Sequence, residues 1–445
     1  MKILCISLGC DKNLVDTERM LGLLNRDGYT FTDDETEADV AVINTCCFIN
    51  DAKEESVNAI LEMAELKKAG RLKALIVAGC MAERYRKEIL DEIPEVDGIL
   101  GTSTWDEISP VLTRVLQGES VSLFHDVDAL PEVETDRIVT TGGHYAFLKI
   151  AEGCDKRCTY CIIPNLRGRY RSVPMEQLVR EAEQLAERGV KELILVAQET
   201  TLYGTDLYGE KRLPELLKRL AAIPGIYWIR IQYCYPEEIT DELIETIRTE
   251  EKICHYLDLP IQHASDTVLK RMGRRTNQRE IRELIGKLRR AIPDLVIRTT
   301  MISGFPGETK EDHEELLRFV DEMEFERLGV FPYSAEEDTP AASFPDQVPQ
   351  EVKEERRDEI MELQQEIAFA HSEAMVGQIL DVMIEGKIAD EPAYVGRTYM
   401  DAPNVDGYIF VDSEETLLSG DFVRVRVTGS SEYDLTGEIY NEFAE

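Results

Sequence analysis

The sequence predicts an α/β protein with three domains: an N-terminal Rossmann-like parallel-sheet domain, a central partial TIM barrel, and a small C-terminal antiparallel β-barrel of the OB-like sort. Two patterns predict this fold class. Strands alternate with helices through residues 1–120 and again through 140–370, which indicates parallel sheets. Short strands separated by turn residues fill 372–445, which indicates a closed β-barrel. These ranges are the predicted domains.

The N-terminal domain opens with three β-branched runs that each end at a cysteine. The runs KILCISLGC, ADVAVINTC and KALIVAGC end at Cys10, Cys46 and Cys80. Helical patterns over 16–26 and 51–68 separate them. Because ligands bind at the carboxyl ends of the strands in such sheets, we expect the three thiols to converge on one point.

The central domain follows a stretch, 117–143, whose acids, glycines and Pro131 are typical of a linker. Six strand patterns then alternate with amphipathic helices: AFLKIAEG, KELILVAQ, YWIRIQYC, HYLDLPIQ, LVIRTTMISG and RLGVFPYS. This number of βα units in roughly 190 residues favours a partial barrel over an open doubly wound sheet, although the period alone leaves both open. A charged helix from Pro349 to about Met375 ends the domain.

The C-terminal domain contains five short alternating runs, QILDVMIEG, AYVGRT, GYIFVD, DFVRVRVTG and DLTGEIY. Turn residues separate them, so each run predicts one strand of the small barrel.

Composition narrows the class of protein. No apolar run approaches the roughly 20 residues of a membrane span, and the opening residues lack a signal peptide, so we expect a cytoplasmic protein without membrane contact. Ten cysteines in that compartment favour reduced thiols over disulfides. The 87 acids against 50 bases give a net charge of −37, which repels nucleic acid and suits a basic partner.

The segment GCDKRCTYC places Cys154, Cys158 and Cys161 directly after the first strand of the central domain. Three thiolates on a 4Fe-4S cluster leave one iron without a protein ligand, and that iron can bind a substrate or cofactor. A zinc site with a distant fourth ligand is the alternative. Zinc sites usually pair C-x2-C knuckles, and no histidine lies in this loop.

The loop, with an aromatic residue before its last cysteine, resembles the signature of the radical S-adenosylmethionine (SAM) enzymes. The resemblance implies that the open iron chelates SAM and that an electron from the cluster generates a 5′-deoxyadenosyl radical. It also implies SAM contacts in the segments LVAQETTLYG and ISGFPGE, and the position of LRGRYRS suggests another. The expected cofactor-binding residues are Tyr160, Gln198, Glu199, Arg171, Gly304 and Glu308.

The N-terminal cysteine motifs extend the resemblance over nearly the whole chain. SLGCDKNLVDTE, VINTCCF and VAGC are similar to the motifs of the methylthiotransferases, radical SAM enzymes that insert sulfur and a methyl group into an unactivated C–H bond. The resemblance implies a second 4Fe-4S cluster on Cys10, Cys46 and Cys80, two SAM per turnover and an external electron donor. No side chain is assigned a catalytic role, because the clusters and SAM carry the chemistry.

The remaining cysteines and His263 have simpler interpretations. Cys47 adjoins Cys46 but should point to the other side of the strand. Cys5, Cys234 and Cys254 are expected to be structural thiols, and His263 is expected to be a hydrogen-bonded structural histidine.

Two substrates compete within this family, a tRNA adenosine and an aspartate of a ribosomal protein. The resemblance identifies residues 372–445 as a TRAM domain. Residues 371–445 carry 16 acids and 4 bases, whereas an RNA-binding barrel should have a basic face. SLGCDKN is also closer to the SLGCPKN of the ribosomal-protein branch than to the GCQMN of the tRNA branch. The resemblance therefore implies methylthiolation of the aspartate β-carbon in small-subunit ribosomal protein twelve, free or within the ribosomal subunit, to give 3-methylthioaspartate.

Direct RNA binding by the TRAM domain is not expected on this interpretation. A tRNA enzyme of the same chemistry and a non-catalytic iron–sulfur carrier remain the alternatives.

Overall fold

The computed structural model describes residues 1–131 and 137–440. The chain packs as two compact units, and the three-domain division stays a prediction. The cysteine loop groups with the N-terminal sheet, and the C-terminal barrel groups with the central sheet. The first unit comprises Met1–Thr140, Ala151–Ser172 and Ser334–Ala342; the second comprises Thr141–Ile150, Val173–Tyr333 and Ser343–Glu445.

The described part of the N-terminal segment contains one parallel sheet. Its strands are β1 (Lys2–Ser7), β2 (Thr30–Phe31), β3 (Val40–Thr45), β4 (Ala74–Gly79), β5 (Gly98–Leu100) and β6 (Val121–Leu123). Its helices are α1 (Asp11–Arg26), α2 (Asn50–Lys68), α3 (Cys80–Arg84), α4 (Arg86–Glu92) and α5 (Ile108–Leu116), with a 3-10 turn at Trp105–Glu107. The strand order is β2-β1-β3-β4-β5-β6, which confirms the predicted Rossmann-like sheet.

Two details of this sheet differ from the sequence prediction. Helix α1 begins at Asp11, five residues earlier than expected, because Cys10 adopts an extended N-cap conformation and Asp11 supplies an acid to the first turn. Strand β6 lies inside the predicted linker and pairs in parallel with β5, so the linker interpretation is wrong for Val121–Leu123. Three residues are too few to show a period.

The N-terminal sheet is buried on both faces. Ala41 and Ile43 of β3 pack into a cluster with Ile60 of α2, whereas Val40 and Val42 pack into a cluster that contains Met20 of α1. Alternate side chains of β3 therefore pack into two hydrophobic cores on opposite faces of the sheet, as expected for a parallel sheet between helices. This sandwich presents the carboxyl ends of β1, β3 and β4 along one edge.

The central segment forms a second parallel sheet. Within residues 137–440 its strands are β7 (Tyr145–Lys149), β10 (Glu192–Val196), β11 (Trp228–Ile231), β12 (Ile253–Asp258), β13 (Val296–Ser303) and β14 (Arg327–Pro332). The pair β8 (Ala151–Glu152) and β9 (Arg171–Ser172) and helix α6 (Ile163–Arg167) lie between β7 and β10 in the chain and belong to the first unit.

Eight helices follow in the same described stretch. They are α7 (Met175–Glu187), α8 (Thr205–Tyr208), α9 (Leu213–Ala221), α10 (Asp241–Thr249), α11 (Asp266–Arg271), α12 (Gln278–Ala291), α13 (Lys310–Met323) and α14 (Gln350–Ala374), with 3-10 turns at Pro236–Glu238 and Pro340–Ser343. The strand order is β14-β13-β12-β11-β10-β7, so each strand pairs with the next along the chain. That one-way order is typical of a partial barrel and not of a doubly wound sheet, whose order reverses.

The C-terminal residues form a closed barrel. Up to residue 440 its strands are β15 (Ile379–Lys387), β16 (Ala393–Arg397), β17 (Ile409–Asp412), β18 (Phe422–Ser431) and β19 (Asp434–Ile439). The order is β15-β16-β17-β19-β18, and all pairs are antiparallel except β17 with β19. The predicted OB-like barrel is confirmed. None of the helices in the described residues has both the length and the apolar character needed to cross a membrane.

Buried ion pairs join this barrel to the central sheet. Glu192 on β10 accepts hydrogen bonds from Arg230 on β11 and from Arg397 on β16, each at 2.7 Å. All three side chains are fully buried. Arg397 also donates to Glu385 at 2.6 Å, and Glu385 lies 2.7 Å from the His144 ring. Removing one partner from such a network is strongly destabilising, because it leaves a buried charge unpaired.

Candidate functional site

The three N-terminal cysteines come together at the carboxyl edge of the first sheet. Cys10 caps α1, Cys46 follows β3 directly, and Cys80 begins α3 after β4. Burial, together with the charges of Cys80 and Cys10, raises the pKa of the Cys46 thiol to about 12. Thr45 and Gly79, which precede Cys46 and Cys80, are register partners in β3 and β4, and the Cys46 side chain lies against Gly9, which precedes Cys10, so the expected convergence is observed. Their role as cluster ligands remains a prediction.

Two glycines allow this approach. Gly9 precedes Cys10 with a φ of +86°, and a Cβ there would lie 2.5 Å from the Cβ of Cys46. Gly79 precedes Cys80 with a φ of +91°, and a Cβ there would lie 2.3 Å from the Asn44 Oδ1. A larger residue at either position would be strained and would push the cysteine loops apart.

The second triad lies in one loop of the same unit, after β8. Desolvation raises the pKa of the Cys161 thiol, and the charges of Cys158 and Cys154 add to the effect. Backbone hydrogen bonds from Cys154 N to Gly168 O (3.1 Å) and from Cys161 N to Cys158 O (3.0 Å) fold the loop on itself. Tyr160 is partly exposed in its last turn.

The donor chemistry of both triads fits iron–sulfur clusters. No three His, Cys, Asp or Glu side chains among the described residues form a ready-made site for a single metal ion. The triads contain only thiols, which in the deprotonated form are the ligands that iron–sulfur clusters take. The raised pKa values of Cys46, Cys80 and Cys161 mean that iron would have to displace the protons of these thiols.

A buried arginine contacts the N-terminal triad, and sequence reasoning missed it. Arg167 on α6 donates from Nε to Cys80 Sγ at 3.4 Å. Its other nitrogens donate to Asp16 Oδ2 (2.8 Å), Glu152 Oε2 (3.1 Å) and Asn13 Oδ1 (2.6 Å). The signal in the sequence is the basic run LRGRYRS in an acidic protein, and the sequence prediction for this run is Arg171.

Arg171 has partners in its own segment and in the preceding one. Its guanidinium donates to the carbonyl oxygens of Arg169 (2.5 Å) and Arg167 (3.0 Å) and lies 3.5 Å from the Asp128 carboxylate. A contact between Arg171 and SAM remains a prediction.

Gln198 and Glu199 follow the carboxyl end of β10 in the second unit, where the sequence predicted them. Glu199 is fully buried, and its carboxylate accepts a hydrogen bond from the Thr201 N–H at 2.9 Å. This bond fixes the turn after the strand.

The ISGFPGE turn is packed against α14. Gly304 has a φ of +66°, and a Cβ there would lie 2.3 Å from the Cγ of Lys353. Glu308 accepts a hydrogen bond from Arg356 at 2.8 Å and lies 3.6 Å from the His263 ring. Burial opposes the ionised form of Glu308, but His263 and Arg356 more than offset it, so the pKa of this carboxyl is lowered. SAM contacts of Gly304 and Glu308 remain predictions beside these structural roles.

His263 and the unassigned cysteines match their structural interpretations. The Nδ1 of fully buried His263 accepts a hydrogen bond from the Ser265 N–H at 2.9 Å. Burial raises the pKa of the Cys254 and Cys234 thiols. Cys47 is fully buried in the apolar cluster that includes Ile43, as strand alternation predicted.

Three family models match the chain. The uncharacterized protein family UPF0004 matches residues 2–101, the Radical SAM superfamily matches 148–320, and the TRAM domain matches 376–439.

Curated relatives match over nearly the full length, and each is named ribosomal protein uS12 methylthiotransferase RimO. The relative from Lachnoclostridium phytofermentans (strain ATCC 700394 / DSM 18823 / ISDg) is 65% identical over 98% of this chain and 99% of its own length. That from Thermoanaerobacter sp. (strain X514) is 50% identical over 97% and 98%. That from Clostridioides difficile (strain 630) is 48% identical over the whole of both chains.

Solved structures share the fold at low identity. The radical SAM methyltransferase TsrM from Kitasatospora setae, with tryptophan substrate and a SAM analog bound, aligns with a TM-score of 0.53 and 14% identity over 74% of this chain and 72% of that chain. The cobalamin-dependent SAM radical enzyme OxsB aligns with a TM-score of 0.50 and 13% identity over 80% and 56%. At these identities the likeness concerns the fold alone.

Proposed function

The chain belongs to the family of ribosomal protein uS12 methylthiotransferases, RimO, and from this membership we propose that it methylthiolates the β-carbon of an aspartate in uS12, small-subunit ribosomal protein twelve. The product is 3-methylthioaspartate. The observation that carries the proposal is the presence of two separate triads of thiols, one formed by a single loop and one by three strand ends.

The chemistry explains why two metal centres are needed. An unactivated carbon has no acidic proton, so a general base cannot open the bond and a hydrogen atom must be removed instead. When bound, a cluster on Cys154, Cys158 and Cys161 with SAM would supply the radical, and a second cluster on Cys10, Cys46 and Cys80 would supply the sulfur, with electrons from an external donor.

The residues of the chain then hold and enclose these groups. Backbone hydrogen bonds from Cys154 and Cys161 fold the 154–161 loop on itself, and Gly9 and Gly79 permit the close approach of the N-terminal cysteine loops. Gln198, Glu199, Gly304, Glu308, Tyr160 and Arg171 are the candidates to orient SAM. Two SAM molecules are consumed per turnover, one as methyl donor and one as radical source.

The charge of the chain supports a basic protein substrate over RNA. The described C-terminal barrel offers few free bases: Arg397 is buried in ion pairs, while Arg424 and Arg426 lie over the ring of Tyr440. A phosphate backbone would meet an acidic surface there, whereas a basic ribosomal protein would meet a complementary one.

The test is an anaerobic reaction of the iron- and sulfide-reconstituted chain with SAM, dithionite and uS12, analysed by mass spectrometry. We expect a methylthio mass gain on one aspartate together with 5′-deoxyadenosine. The control variant Cys154→Ala, Cys158→Ala, Cys161→Ala should form neither. Parallel reactions with tRNA and with whole small subunits decide the substrate, since a product on tRNA would indicate the tRNA enzyme. Iron binding without any SAM cleavage would indicate a carrier.

A further inference from the structure

We propose that Arg167 is a positioning residue of the N-terminal metal centre, which holds the three ligand loops in place and tunes the reduction potential of the cluster through its bond to Cys80. The inference rests on the proposed cluster at Cys10, Cys46 and Cys80. It concerns a residue that neither the cysteine motifs nor the expected SAM contacts include.

The first observation is the contact with a ligand sulfur. The Arg167 Nε lies 3.4 Å from Cys80 Sγ, and the arginine side chain is only 2% exposed. Because arginine stays protonated in proteins, a buried cationic donor faces the Cys80 sulfur.

The second observation is how firmly the guanidinium is held. Asp16 and Glu152 both accept from Nη1, at 2.8 and 3.1 Å, and Asn13 accepts from Nη2 at 2.6 Å. A planar guanidinium can satisfy acceptors in several fixed directions at once, which a lysine ammonium cannot reproduce. Its Nε–H is thereby aimed at Cys80.

The third observation connects Arg167 to the other two ligand loops. The Asn13 side chain, which accepts from Arg167, donates to the backbone carbonyl oxygens of Thr45 (3.0 Å) and Leu8 (2.9 Å). Thr45 immediately precedes Cys46, and Leu8 lies two residues before Cys10. One buried network therefore ties all three cysteine loops together.

Two consequences follow for a bound cluster. Groups that orient metal ligands typically contribute 10- to 100-fold to metal affinity. Loss of the Arg167 guanidinium should therefore weaken retention of the cluster by about that factor. Reduction adds one electron to the cluster, and a hydrogen-bonded cation favours the more negative state. Without Arg167 the cluster should be harder to reduce.

The experiment isolates the N-terminal cluster in the full chain. In a parent that carries Cys154→Ala, Cys158→Ala and Cys161→Ala, we would reconstitute with iron and sulfide, measure retained iron against a chelator, and titrate with dithionite by electron paramagnetic resonance. The variants are Arg167→Lys, the charge-balanced pair Arg167→Gln with Asp16→Asn, and the matched control Arg169→Gln. Arg169 belongs to the same basic run, but its side chain is 76% exposed.

We expect Arg169→Gln to equal the parent. The charge-balanced pair should lose iron 10- to 100-fold faster and shift the reduction equilibrium at least tenfold, about 59 mV more negative for a one-electron couple. Arg167→Lys keeps the positive charge but loses the planar guanidinium. This variant should retain more iron than the charge-balanced pair, while the reduction potential of its cluster still falls below that of the parent. If the charge-balanced pair does not fold, the lysine variant alone decides the outcome.

Equal potentials and iron retention in the Arg167 variants and in Arg169→Gln would overturn the proposal while leaving the cluster itself intact. A parent that holds no iron at all would contradict the second cluster of the proposed function, and the role of Arg167 would fall with it.

Discussion

The adjacent residues Cys46 and Cys47 have different surroundings. Cys46 lies against Gly9, and its backbone N–H donates a hydrogen bond to the hydroxyl oxygen of buried Ser56 at 3.0 Å. Cys47 is fully buried in an apolar cluster. Burial raises the pKa of the Cys47 thiol to about 12, and the charge of Cys80 contributes to the shift. A thiol so enclosed behaves as a small apolar side chain.

We therefore expect substitutions at these two positions to separate metal binding from packing. Cys46→Ala should remove about four iron atoms per chain, one cluster, whereas Cys47→Ala should keep them and cost about 1 kcal/mol of unfolding free energy. Iron and sulfide analysis after reconstitution, with urea unfolding of the metal-free chains, measures both. Loss of the same iron from both variants would mean that Cys47 is also a ligand.

Gly9 and Gly28 form a matched pair for testing the approach of the ligand loops. Both have a φ of +86°, but a Cβ on Gly9 would meet Cys46, while a Cβ on Gly28 would meet nothing within 4 Å. Gly28→Ala should cost about 1 kcal/mol from backbone strain alone and leave the iron content unchanged. Gly9→Ala should lose iron from the N-terminal cluster. Equal iron in the two variants would show that the close approach of the loops is not needed for binding.

Among the elements, β10 and β16 carry the connection between the central sheet and the C-terminal barrel. Glu192 is held by two arginines, one from each side of this junction. Burial opposes its ionised form, but Arg397 and Arg230 more than offset it, so the pKa of Glu192 is lowered. A carboxyl with a lowered pKa stabilises the folded state above its ordinary pKa of about 4.3, and this contribution disappears as the pH falls through the lower folded value.

Glu192→Gln should accordingly destabilise the chain by about 3 kcal/mol at pH 7, since two buried arginines lose their anion. The difference from the parent should stay constant down to about pH 5, shrink below about pH 4.3, where Glu192 of the unfolded chain takes up its proton, and disappear as the pH falls through the lower folded pKa. Urea unfolding from pH 7 to pH 3 tests this, with exposed Glu438→Gln on β19 as the control. A difference that does not change with pH would mean that packing, and not charge, is lost.

The same elements mark what the sequence could and could not predict. Long runs such as KELILVAQ and DFVRVRVTG have enough residues to show their period, and both form the expected strands. Strands β2 and β6 have two and three residues, and only tertiary pairing creates them. The six cysteines were found because their spacing is local or coincides with strand ends. Arg167 was not, because its partners Asp16 and Cys80 are distant in the chain.

For the whole molecule, the net charge of −37 is the dominant long-range property. Excess acids attract a basic protein over a distance of about one Debye length, roughly 8 Å at physiological salt, and repel polyphosphates. The C-terminal barrel is acidic as well, because residues 371–445 contain 16 acids and 4 bases. Substrate choice should therefore respond strongly to ionic strength.

The acidic surface should distinguish uS12 from RNA. Binding of the chain to fluorescently labelled uS12 should weaken several-fold between 50 and 200 mM salt, because screening removes the attraction between opposite charges. An RNA oligonucleotide should bind no more tightly than about 10⁻⁴ M at physiological salt. The double variant Arg424→Glu, Arg426→Glu removes two of the bases on β18 and should leave methylthiolation of uS12 unchanged. RNA binding that is tight, weakens steeply with salt and is lost in this variant would instead assign the barrel to RNA, because phosphate contacts produce that salt dependence.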